Sequence, residues 1–155
     1  MISSELICIA VLNLGMPNAQ YACEQMEHVV NAAEDLNLQP ELLVSLIHYE
    51  SRWTPTARSR SGACGLTQVL PRYTRPRKSC QQLMFAPTSI YEGAKALRRW
   101  TDRFGRGNIA RGLCGYNAGY SCRQRSSRGW RYSRKIQRMT RRIQREMDNI
   151  ANDGC

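Results

Sequence analysis

The apolar positions of this chain recur mainly at spacings of three and four, the period of amphipathic helices. Met26, Val29, Val30, Ala33 and Leu36 predict a helix over 22–36. Asn37-Leu38-Gln39-Pro40 breaks it. Pro40 suits the first position of a new helix, where its missing N–H is not needed. Leu42, Leu43, Leu46 and Ile47 then predict a helix over 41–51. Ile90, Ala94, Leu97 and Trp100 form the inner face of a helix over 89–104, and Ile136, Met139, Ile143, Met147 and Ile150 the stripe of one over 132–150. No segment alternates apolar and polar residues long enough for a convincing strand. The expected class is mainly α, with an irregular or small hairpin element near 60–72. Segments 53–65, 71–80 and 105–129 carry Gly and Pro and read as irregular loops, where function tends to sit.

The run Leu6 to Met16, about eleven residues, suits the core of a secretory signal in length. Its front does not, since Glu5 stands where Lys or Arg is expected. Two readings stay open: a cleaved signal, or a short apolar segment packed on the domain or a partner. The organisation expected is an apolar N-terminal segment over 1–20, a single domain over 21–150 and a C-terminal tail over 151–155. That tail frays unless Cys155 is tied down by a disulfide. A chain of 155 residues fits one domain, and 42% apolar residues can supply its core. No run reaches the roughly 18–20 apolar residues of a membrane-spanning helix. No repeat period appears, which argues against a solenoid.

Charge is uneven along the chain. The net charge is +11, yet residues 1–50 hold seven acids and no Lys or Arg. Residues 98–145 hold fifteen Lys or Arg and one acid, Asp102. The basic half should attract a polyanion. Nucleic acid, anionic glycan and anionic membrane all qualify, and a solvated basic face is the plain alternative. No helix-turn-helix, zinc-finger or RNA-binding signature accompanies the charge, so nucleic acid is not the expected partner.

Seven cysteines are many for a cytosolic protein of this size. The closest pair is Cys114 and Cys122, and the only histidines are His28 and His48, so the clustered spacing of a zinc site is missing. Disulfides in an oxidising compartment fit better. The odd count leaves a thiol over, and Cys8, within the apolar run, is the natural candidate.

Glu50 stands at the end of the apolar helix LLVSLIHYES, before an irregular loop. A carboxyl group there, beside Tyr49 and Trp53, would be partly desolvated, which raises its pKa. An acid still protonated near neutrality is what general-acid cleavage of a glycosidic bond requires. A surface ion pair with Arg52 is the plainer reading of the same residue.

The neighbours shift that balance. Glu50-Ser51, then Pro55, Ala57 and Ser59, then Gly62-Ala63-Cys64-Gly65-Leu66-Thr67-Gln68-Val69-Leu70-Pro71 form one block. Gly115-Tyr116-Asn117-Ala118-Gly119 and Tyr132-Ser133-Arg134-Lys135-Ile136 form two more. In order and rough spacing these resemble the motifs of the goose-type-lysozyme-like lytic transglycosylases, the SLT domain family, over about residues 27–140. The resemblance implies a compact lysozyme-like fold and cleavage of the β-1,4 bond between N-acetylmuramic acid and N-acetylglucosamine, leaving a 1,6-anhydro end. It implies Glu50 as catalytic acid and then base. Ser51 would orient it or contact substrate, Gln68 would line the cleft, Tyr116 and Asn117 would face it, and Tyr132 would close it. Gln68 and Asn117 could instead satisfy their loops, and Tyr132 could be a core residue. No metal or organic cofactor is implied. The partner implied is the peptidoglycan glycan strand, with action outside the cytoplasm, in the periplasm or cell envelope, or from a phage particle or secretion machine. A hydrolytic muramidase on the same scaffold is the near alternative. A glycan- or nucleic-acid-binding protein without catalysis is the distant one.

Thr67 stands where the family has Met, and Gly115 where it has Ala. Cys64, Cys80, Cys114 and Cys122 are not part of the family pattern. Disulfides among them would rigidify long loops in a small domain. Cys64–Cys80 with Cys114–Cys122 is one of the three connectivities that four cysteines allow. Two acids lie between Arg52 and Arg145, Glu92 and Asp102, both on the helix predicted over 89–104 rather than in a motif loop. A one-carboxylate mechanism is thus expected. Trp53 divides evenly between cleft and core, Trp100 reads as core, and Trp130 has no assignment.

Overall fold

The computed structural model describes residues 3–153. Its helices are α1 (Ser4–Asn13), α2 (Ala19–Glu24), α3 (Met26–Asp35), α4 (Pro40–Ser51), α5 (Cys80–Leu83), α6 (Ala86–Arg103), α7 (Ile109–Ala118) and α8 (Arg128–Asp153). The mainly α expectation holds. The region near 60–72 forms no strand; Cys64 makes isolated antiparallel bridges to Arg58 and Val69, and the chain then enters a 3-10 turn over Pro71–Tyr73.

The core is built around α4. Leu43, Val44, Leu46 and Ile47 are all fully buried, because α3, α6 and α8 pack against this helix from different sides. A helix buried all round needs apolar residues on every face, which explains why its sequence is nearly continuous in Leu, Val and Ile. Pro40 opens it at the first turn as expected. The long α8 buries one stripe, Ser133, Ile136, Thr140, Ile143 and Met147, and leaves its arginines outside.

Two expectations are corrected here, the single helix over 22–36 and the spare thiol at Cys8. The helix over 22–36 is two helices, α2 and α3, separated at Gln25. The apolar run is helical and packs into the core: Ile7, Ala10 and Val11 are fully buried, and α1 lies on α8, α2 and α3. Cys8 is not the spare thiol; it bonds to Cys23 and ties α1 to α2. Residues 151–153, expected in the tail, continue α8, while Cys155 lies outside the described residues.

The largest correction concerns 105–129. Its middle is α7, not loop. Glycines disguised this helix, since each costs about 1 kcal/mol relative to Ala in a helix interior. Their reason is tertiary. A Cβ on Gly112 would lie 2.2 Å from Thr101 Oγ1, and one on Gly115 would lie 2.5 Å from a Trp100 ring carbon. Helix α7 therefore lies closer to α6 than a side chain would allow.

Candidate active site

Helix α4 ends just after Glu50, and the chain then turns through two successive left-handed non-glycine residues, Arg52 (φ 50°) and Trp53 (φ 60°). Such backbone costs energy and persists where the surroundings impose it. Asn18 helps impose it by donating its side-chain N–H to the Arg52 carbonyl at 2.8 Å. The turn drives Trp53 into the core at 1% exposure, while Glu50 at the helix end stays partly buried. Trp53 is thus core and not cleft.

Glu50 makes no ion pair with Arg52; its carboxylate accepts a hydrogen bond from the Tyr132 hydroxyl of α8. Burial raises the Glu50 pKa from 4.5 to about 7, and the Tyr132 bond opposes the rise only in part. The sign follows from the causes: desolvation disfavours the anion, whereas a donor favours it. Tyr132 and Tyr116 are both held well above their ordinary phenol range, first by burial and then by the Glu50 charge. Both therefore remain protonated donors. Tyr116 does not give its hydroxyl to Glu50. It donates to the Thr67 carbonyl at 2.5 Å.

The segment Gly65 to Gln68 forms the next wall. Thr67 is fully buried, its hydroxyl donating to the Ser89 carbonyl at 2.7 Å while its N–H bonds the Ser89 hydroxyl at 3.2 Å. Thr67 thereby pins the motif turn to α6 and presents the carbonyl that orients Tyr116. Gln68 is left-handed (φ 53°), and its side-chain amide donates to the carbonyls of Ala57 (3.0 Å) and Gly65 (2.9 Å). It both fastens the loop and lines the cavity described next. Ser51 turns its hydroxyl back to the Ile47 carbonyl at 3.3 Å, within α4. The Cys64–Cys80 and Cys114–Cys122 bonds are formed; the first ties this turn to α5, the second ties α7 to the segment after it.

A cavity of about 500 Å³ opens beside this group, between the 68–74 turn, α6, α7 and Gly119-Tyr120. Tyr116 joins it to Glu50: it lines the cavity and feels the Glu50 charge. Asn117 and Gln68 supply polar groups. Trp100, Phe104 and Tyr120 supply an aromatic wall, mutually edge-on with ring centroids 5.3–6.0 Å apart. Trp100, expected in the core, is thus a cavity residue. Glu92 also lines the cavity despite its place on a helix; it is buried and bound to Lys95 at 2.8 Å. Among the described residues no cluster of His, Cys, Asp or Glu is placed to hold a metal ion.

Of the candidate residues, Glu50 and Tyr132 bond each other, Gln68, Tyr116 and Asn117 line the adjoining cavity, and Ser51 bonds back into its own helix. The places of Phe104 and Tyr120 and the Thr67–Ser89 link were not legible in the sequence. The spacing of 22 residues between Thr67 and Ser89 carries no local signal. Tyr120 follows the Asn-Ala-Gly block directly, and that adjacency was the one available clue.

The family model of the Transglycosylase SLT domain matches residues 27–139. A transglycosylase of Enterobacteria phage PRD1 is 33% identical over 99 residues, covering 63% of this chain and 36% of that protein. An inactive Glu-to-Gln mutant of the lytic transglycosylase Slt from Pseudomonas aeruginosa superposes with a TM-score of 0.59 at 25% identity, over 77% of this chain and 22% of that one. The chain thus spans about a third or less of the length of these relatives. The match covers the helix that carries Glu50, the Gly65–Gln68 turn, the Tyr116–Asn117 block and Tyr132, so the chain belongs to the Transglycosylase SLT domain family.

Proposed function

We propose that this protein is a peptidoglycan lytic transglycosylase with Glu50 as its single general acid and base. The observation that carries the reading is a carboxyl group with a pKa raised to about 7, held by a tyrosine donor beside an aromatic-walled cavity. Such an acid is about half protonated at neutral pH, so it can both give and take a proton there. Glu50 protonates the glycosidic oxygen as its bond to C1 of N-acetylmuramic acid breaks. The C6 hydroxyl oxygen of the same sugar then closes on C1, and its proton passes to the Glu50 carboxylate. The acid is regenerated, a 1,6-anhydro end forms, and no water is consumed.

Tyr132 orients the carboxyl group and stabilises its anionic stage. Tyr116 and Asn117 contact the sugar from α7, and Gln68 from the opposite turn. Trp100 and Tyr120 offer ring faces to pyranose C–H edges. Ser51, turned into its own helix, supports the helix end rather than the substrate. Glu92, the acid that lines the cavity, is paired with Lys95, which leaves Glu50 as the unpaired carboxyl group beside it. The phage protein among its relatives accords with a phage-borne or extracytoplasmic site of action, on the glycan strands of the wall.

The test is mass spectrometry of products from purified peptidoglycan, with native protein and Glu50→Gln in parallel. Anhydro-ended fragments from the native protein alone are expected. Reducing-end products would mean that water, not the C6 hydroxyl, attacks, and that the reaction is hydrolysis. Equal release by both proteins would remove Glu50 from the mechanism.

A further inference from the structure

A second cleft, of about 510 Å³, adjoins the first across Phe104, whose ring lines both. Its walls are Arg106, Arg111, Arg123 and Arg125, with Trp130 and Cys122. No acidic residue lines it, and none of these arginines is ion-paired among the described residues. Four like charges around one cleft repel each other and raise the cost of the fold there. The frame beneath them is nevertheless fixed: the Cys114–Cys122 disulfide ties α7 to the 3-10 turn Gly119–Arg123, and the Trp130 indole N–H donates to the Cys122 carbonyl at 3.2 Å. Planar guanidinium groups on a fixed frame match carboxylates in a forked, two-bond geometry.

We propose that this cleft is a stem-peptide subsite: its arginines bind the free carboxylates of the peptide carried by the glycan strand that occupies the first cavity. The proposal rests on the peptidoglycan reading above. It adds a specificity, because strands bearing acidic stems bind across both clefts and stripped strands bind in one. The shared Phe104 provides the continuity: a substituent leaving a sugar against the aromatic wall passes over that ring into the arginine cleft. Arg123 links the two directly, since its guanidinium stacks 5.3 Å over the Tyr120 ring of the first cavity. The basic surface then reads acidic groups on the substrate itself, rather than a separate polyanion.

The experiment measures binding to the Glu50→Gln protein, so that no cleavage intervenes. Short glycan fragments with intact stems are compared with the same fragments stripped of peptide, by calorimetry at fixed salt. Stem-bearing fragments are expected to bind more tightly. Arg111→Gln/Arg125→Gln, two exposed positions that touch neither Glu50 nor Tyr120, should weaken stem-bearing binding by about tenfold. Stripped-fragment binding should be unchanged, and turnover of stripped fragments should be unchanged in the same double variant carrying native Glu50. Arg111→Lys/Arg125→Lys should recover part of the loss, since charge returns without the fork. Equal affinity of the native cleft for both fragments would overturn the proposal. So would inorganic phosphate or a short DNA duplex binding more tightly than the stem-bearing fragment at the same salt. Binding that prefers stems while no products form would leave this subsite standing and sink the catalytic reading instead.

Discussion

Replacing Glu50 by Gln should stabilise the protein at neutral and alkaline pH while removing its activity. The folded-state pKa is about 7 and the ordinary value is 4.5. Folding therefore raises the proton affinity of this group. Below pH 4.5 the carboxyl is protonated in both states, and its charge contributes nothing. Between 4.5 and 7 the folded chain keeps a proton that the unfolded chain releases, so native stability declines as pH rises through this window. Above 7 the full cost of burying the anion is present, about 3 kcal/mol from the gap between the two values. Gln does not titrate and avoids that cost. The native protein and Glu50→Gln, both with disulfides intact, should be unfolded thermally and in urea from pH 4 to 9. At pH 4 their stabilities should agree closely. At pH 8.5 the variant should be more stable by up to about 3 kcal/mol, or about 6–10 °C in a domain of this size. Curves that stay parallel across the whole range would refute the desolvated carboxyl, and with it the physical basis of the acid. An alkaline gain without loss of turnover would leave the desolvation intact but free Glu50 of its catalytic role.

Further outcomes follow from the same geometry. Tyr132→Phe removes a donor that lowers the Glu50 pKa, so the alkaline limb of the pH–rate profile should move upward while the rate falls about 10- to 100-fold; an unmoved limb would mean that the hydroxyl does not touch the carboxylate in solution. Gly115→Ala inserts a Cβ against the Trp100 ring, and should destabilise the protein by about 1–2 kcal/mol after its helix-propensity gain. Trp100→Leu in the same chain should cancel most of that loss, and strict additivity of the two changes would contradict the close α6–α7 approach. Removing Cys64 and Cys80 together opens a bridge between residues 16 apart, for about 3 kcal/mol lost stability by chain entropy. Turnover should suffer more than in the Cys8→Ser/Cys23→Ser protein, because the first pair holds the Gly65–Gln68 turn and the second does not; equal effects would show that the turn needs no tether.

Much of the fold was legible because helices such as α3, α6 and α8 each bury one stripe. The stripes on α6 and α8 repeat at helical spacing, and a three- to four-residue period survives any tertiary arrangement. Glu50 was legible because an acid ending an otherwise apolar helix is chemically out of place. Helix α7 was hidden by Gly112 and Gly115, which lower helix propensity locally. They are there because Thr101 and Trp100 occupy the space of their missing side chains. The places of the two tryptophans were hidden for a similar reason. Trp100 has helical spacing with core residues, but its ring reaches past Gly115 to the cavity. Trp53 sits beside the acid in sequence, but two left-handed residues turn it inward.

The sequence by itself determined the mainly α class, the candidate acid Glu50, the order of the motif blocks and the supply of cysteines. These depend on residue type and local spacing, which the chain carries in one dimension. Only the tertiary structure decided the tyrosine that holds Glu50, 82 residues away. It decided too that Thr67 steers Tyr116, that Cys8 pairs with Cys23, and that four arginines share a cleft with the far side of Phe104. Each of these joins groups distant in sequence, and packing of the helices, not local preference, sets which distant groups meet.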